Sequence, residues 1–122
     1  QYRFELGLAY WKQNMIDEAL NEFQHAQRNP QFATKARVYM AKCLSAKNLT
    51  DMAIERLQEN MRDKDKVAQS VLKETMYDLA AAYEKNGDNE NALATWKELY
   101  NLDVNYQDVG QRLEAYYQKG QE

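Results

Sequence analysis

The side chains that could carry chemistry are few, and they stand apart. Cys43 and His25 are each alone of their kind in the chain. A thiol becomes a nucleophile when a neighbouring base or cation lowers its pKa, and nothing around Cys43 in the sequence supplies one. It lies beside an apolar stripe and reads as a small buried hydrophobe. A metal site needs several converging ligands, so the solitary His25 reads as a surface or seam residue. Asp88-Asn89-Glu90 has some residue types of a calcium loop but not that loop's spacing, and helix capping accounts for it. There is no glycine-rich run to cradle a phosphate. These residues point to no catalytic group, no cofactor and no metal, and the chain reads as a non-enzyme.

Composition narrows the remaining classes. The formal charge is −3 with both signs interspersed, which excludes the basic stripe of a nucleic-acid footprint. No apolar run approaches the ~20 residues that cross a bilayer, so this segment is expected to make no membrane insertion. One cysteine excludes an internal disulfide and leaves the compartment open. Four glycines and one proline do not furnish a turn-rich β fold, whereas Ala, Leu, Glu, Gln, Lys and Met form helices readily. At 122 residues the chain is one domain long. It starts at Gln1 with a helical pattern already running, as a piece of a longer protein would.

The elements that would position a binding side chain are three copies of one pattern, clearest in Leu79 to Trp96. An apolar residue and a small one (Leu79, Ala80) are followed by Tyr83, a breaker at Gly87, Ala92 and Trp96. The first copy has Leu6, Gly7, Tyr10, Asn14, Ala19 and Phe23; a shift of 34 residues gives Met40, Ala41, Leu44, Asn48, Ala53 and Leu57. The third copy lies 39 beyond the second, and the five extra residues fall near Lys64–Ser70, where a longer helix or loop is expected. Each copy reads as two antiparallel helices, the small residues marking where their axes approach to the lower end of ~8–10 Å. Second-helix stripes are Ala19, Phe23, Ala26; Ala53, Leu57, Asn60; and Ala92, Trp96, Leu99, with Asn60 expected to hydrogen-bond into an inter-repeat seam.

Asn14, Asn48 and Gly87 tolerate the left-handed conformation that closes a helix. Asp17, Thr50 or Asp51, and Asp88 or Asn89 are expected to cap the next helix. A last helix is expected from Asn105 and Asp108, closed by Lys119-Gly120, with Tyr106, Val109, Leu113 and Tyr116 or Tyr117 on its apolar face. It would cover the naked side of the third pair.

The pattern resembles tetratricopeptide repeats. The first copy supplies that family's Leu6, Gly7, Tyr10, Ala19, Phe23 and Ala26, with Pro30 one residue early. Arg3, Arg37 and Met76 replace its first aromatic, and copies two and three lack its proline. The resemblance covers residues 1 to about 103, as repeats of about 1–33, 34–68 and 72–104, with a capping helix at about 105–119. Asp103 to Leu113 is similar to the closing helices of bacterial members. The resemblance implies an all-α, right-handed α-solenoid of about seven helices, three pairs and a cap, whose concave face binds a peptide or another protein.

Helix geometry sends Phe4 and Leu8 with Glu5, Trp11 and Lys12 toward that groove or the N-terminal edge, joined by Lys35, Val38, Tyr39 and Lys42, then Glu74, Tyr77, Asp78 and Ala81. The groove would be apolar at one end and acidic at the other, favouring aliphatic anchors and some positive charge. The alternative for Phe4, Leu8 and Trp11 is packing against a preceding repeat. One subset of the family clamps a chaperone's C-terminal carboxylate with Lys, Asn and Arg; Phe4, Leu8, Tyr39, Glu74 and Asp78 stand at those places and exclude that activity. The function expected is a protein-binding scaffold. The second reading is a homo-oligomer, the N-terminal edge of one copy docking on the tail helix of another.

Overall fold

The structure is a computed structural model that describes residues 1–119. The chain is all-α, and no strand occurs among the described residues. Seven α-helices follow one another: α1 (Tyr2–Lys12), α2 (Ile16–Ala26), α3 (Ala33–Ala46), α4 (Thr50–Arg62), α5 (Gln69–Lys85), α6 (Asn89–Leu102) and α7 (Val109–Lys119). A 3-10 turn, Lys64–Lys66, separates α4 from α5. The extra residues near Lys64–Ser70 form this turn and lengthen α5, which starts nearly a turn ahead of the register of α3.

The same turn closes α1, α3 and α5. Asn14, Asn48 and Gly87 have φ of 62°, 63° and 77°. The next residue, Met15, Leu49 or Asp88, donates its N–H to the carbonyl of Tyr10, Leu44 or Tyr83, each at 2.9 Å. Asn14, Asn48 and Gly87 donate to Trp11, Ser45 and Glu84, each at 3.0 Å. This double closure is the Schellman motif, which satisfies carbonyls that a helix end leaves orphaned.

The capping expectation needs correcting at two of three places. The residue after the left-handed one, Met15 or Leu49, is itself the N-cap of α2 or α4, and neither makes a side-chain cap bond. The turn leaves no spacer, so Asp17, Thr50 and Asp51 fall inside the first helical turn, where the acids face the positive end of the dipole. Only Asp88 caps as expected, accepting from the N–H of Asn91 at 3.2 Å. Asp17 and Asp51 instead reach the following turn, Asp17 bonding Lys47 and Asp51 accepting from Asn86.

Each helix packs on its neighbours in the chain, and α3 also packs on α5. Two apolar clusters result, one around Phe4, Phe23 and Met40 and one running from Val38 through Trp96 to Val109. Phe23, Leu57 and Trp96 are almost wholly withdrawn from water, each burial contributing about 1.5–3 kcal/mol. Ala41 and Ala80 lie buried at the matching crossings. At the seam Asn60 is fully buried, donating to the carbonyl of Thr34 at 3.0 Å and the hydroxyl of Thr75 at 3.2 Å, and accepting from Arg37 at 3.3 Å.

The last helix begins at Val109, later than expected from Asn105. The Asp103 carboxylate accepts the N–H of Asn105 at 3.1 Å and holds that residue in a turn, and Gln107 adopts a φ of 44° before the helix starts. Of the expected apolar face, Val109 is buried, Tyr106, Leu113 and Tyr116 are half-buried, and Tyr117 is exposed. The expected closing residue Gly120 lies outside the described residues.

Candidate functional site

Three helices, α1, α3 and α5, present side chains at i, i+3 or i+4 spacing to one face, where they line two adjoining clefts. The first, of about 270 Å³, is lined by Phe4 and Leu8 of α1, Lys35, Val38 and Tyr39 of α3, and Ser70, Val71 and Glu74 of α5. The second, of about 370 Å³, has Trp11, then Ala41, Lys42 and Ser45, then Asp78, Ala81, Ala82 and Lys85. Of the thirteen residues expected in the groove, all but Glu5, Lys12 and Tyr77 line one of the two. Glu5 and Lys12 are exposed and line neither.

An aromatic cluster builds the floor. The Tyr39 ring stacks on Phe23 at 5.2 Å and meets Trp11 edge-on at 6.4 Å. Phe4 lies 5.7 Å from Phe23, 5.6 Å from Phe32 and 5.9 Å from Tyr39, and only 7% of it is exposed. The chain's own rings thus already cover most of Phe4. Leu8 and Trp11 stay half-buried.

The ionic part differs from expectation. Lys42 reaches across from α3 to both α5 acids, 3.1 Å from Glu74 and 2.8 Å from Asp78. Burial pulls the Lys42 ammonium down, but Asp78 and Glu74 outweigh it and leave its pKa above the usual lysine value. Burial pushes the Asp78 carboxyl up against the opposing pull of Lys42. The end expected to be acidic is therefore closed by a cation shared between two anions. Sequence spacing does not disclose this, since the partners lie 36 residues apart.

Tyr77 sits elsewhere for a positional reason. It matches Phe4 and Val38 in the repeat register, and each of these is covered by the helix pair that follows. Over Tyr77 the following element is α7. Its ring lies 5.1 Å from Trp96 and 6.1 Å from Tyr106, and its hydroxyl donates to Asp108 at 2.6 Å.

Around it is a polar cluster that sequence reasoning missed. Arg112 bonds Asp108 at 3.2 Å, Glu84 at 3.1 Å and the Tyr77 hydroxyl at 3.4 Å, and lies 5.4 Å from the Trp96 ring. Glu84 also accepts from Trp96 Nε1 at 3.0 Å and Tyr116 at 2.6 Å. Burial, then the bond to Glu84, pushes the Tyr116 hydroxyl up to about 12. The i, i+4 pair Asp108–Arg112 was the available signal. Ser70 and Lys85, also missed in the groove, lie four residues from Glu74 and Ala81 on the same helix face.

Cys43 is buried, and desolvation followed by the charge of Asp17 pushes its thiol up to about 11, away from nucleophilic use. Among the described residues no cluster of His, Cys, Asp and Glu is placed to hold a metal ion, and no helix is long and apolar enough to cross a membrane. No protein-family model matches the chain, and no curated protein matches it.

Proposed function

We propose that this chain is a non-catalytic scaffold of the tetratricopeptide type, holding a peptide or protein segment along the face of α1, α3 and α5. The observation that carries the reading is the pair of adjoining clefts. The N-terminal parts of all three helices line the first and their C-terminal parts the second, as three parallel helices would. With the even helices returning between them, such a placement supports the reading of a right-handed stack of antiparallel pairs. Repetition of the closing turn, and of the Asp17–Lys47 contact as Asp51–Asn86, supports equal steps along the stack.

The second cleft is walled mainly by apolar surface, and the first sets Phe4, Leu8, Val38 and Val71 beside charged groups, so that the pair suits a segment with aliphatic anchors. Selection from a random displayed-peptide library on the immobilised chain should enrich binders. Those binders should lose affinity for Leu8→Gln combined with Ala81→Gln, which makes the clefts polar and crowds them while leaving helicity by circular dichroism unchanged. Binders that hold the double variant undiminished place the site on another face.

A further inference from the structure

The charges lining the groove are not evenly matched. Both carboxylates, Glu74 and Asp78, close on the single ammonium of Lys42. Lys35 lines the first cleft and Lys85 the second, and neither has a carboxylate partner among the described residues. Lys85 donates only to the neutral Asn48, at 3.1 Å. At the rim, α1 adds Glu5 and Lys12, one of each sign, and Glu5 accepts from Gln1 at 3.3 Å. A cationic ligand would have to draw Glu74 or Asp78 away from Lys42. An anionic one meets two ammonium groups with no carboxylate to displace. The groove lining is thus net positive on a chain whose formal charge is −3.

We infer that the segment held here is acidic, with Asp or Glu flanking an aliphatic stretch; this rests on the binding reading above. The aliphatic side chains enter between Leu8, Val38 and Val71 and against Trp11, while the flanking carboxylates take Lys35 and Lys85. The Lys42 cluster, satisfied internally, lies under the uncharged middle. Charge here selects the partner and speeds encounter more than it adds affinity, and it weakens with salt.

Library selection on the intact chain tests this. The enriched peptides should carry Asp or Glu on one or both sides of an aliphatic core. As soluble fluorescent peptides they should lose roughly tenfold in affinity against Lys35→Glu combined with Lys85→Glu, and also weaken as salt is raised. Lys35 and Lys85 are exposed, so an unchanged circular dichroism spectrum separates lost contact from lost fold. Enrichment of Lys- or Arg-flanked peptides, or indifference to the double reversal, overturns the acidic partner. If those same peptides still need Leu8 and Ala81, the groove itself stands; if they do not, the groove fails as well.

Discussion

Gly7 has no side chain because Phe23 fills the space that one would need. A Cβ built there would stand 2.7 Å from Phe23 Cε1 and 2.8 Å from its Cδ1. The ring is fully buried and has nowhere to turn. Gly7→Ala should therefore lower stability by roughly 1–3 kcal/mol through overpacking, read as a fall in the urea midpoint. An unchanged midpoint would mean that α1 and α2 part to admit the methyl. This crossing was legible in the sequence, since a glycine facing an aromatic in a helix pair has few other uses. So were the left-handed roles of Asn14 and Asn48 and the seam role of Asn60, because residue type alone restricts them. Tyr77 was not legible as it stands: an aromatic on a groove-facing register looks the same whether or not a later helix covers it.

At the scale of elements, α7 is docked differently from the others. Val109 is its only buried residue, Leu113 and Tyr116 pack half-buried against the same apolar cluster, and a polar hold is added by Arg112, Asp108 and Tyr116 against Glu84, Tyr77 and Trp96. The Asp108 carboxyl is held below the usual aspartate range by the hydrogen bond from Tyr77, against a smaller opposing effect of burial, with Arg112 adding to the depression. Asp103, at the end of α6, is held low by the bond from Lys73 and by the N–H of Asn105. A carboxyl depressed in the fold stabilises it fully above the free aspartate pKa of about 3.9 and stops doing so as pH falls through the folded value. The fluorescence of Trp96, read in a Trp11→Phe background, should therefore report loosening of α7 below about pH 4. Asp108→Asn should flatten that step, and coincident acid titrations of the two proteins would refute the assignment. The expected apolar face of α7 was legible; the polar hold was not, because Glu84 and Arg112 meet only once α5 and α7 are side by side.

For the molecule as a whole, contacts run almost entirely between neighbours in the chain, with α3 on α5 the further close pairing. Stability is then close to a sum of local terms, and the ends open before the middle. Native-state hydrogen exchange should show the amides of α3 to α5 best protected, and those of α1 and α7 exchanging sooner. Uniform protection from end to end would mean a single cooperative core. Period and breaker residues made the succession of seven helices readable in advance. The clefts were readable only as a face, since their charge balance depends on Lys42 spanning to α5.

The three slots presented by Phe4, Val38 and Tyr77 are related by the repeat, yet they would not accept the same lodger. Arg112 needs Glu84 and the Tyr77 hydroxyl as well as its own Asp108. Phe4 and Val38 offer no hydroxyl, and Trp11 and Ser45 stand where Glu84 would be. Seated over either of them, that guanidinium would lose water and keep its own Asp108 but find no second carboxylate. Arg112 thus carries an address legible at one berth only, the one over Tyr77, while α3 and α5 pack at the other two by different contacts.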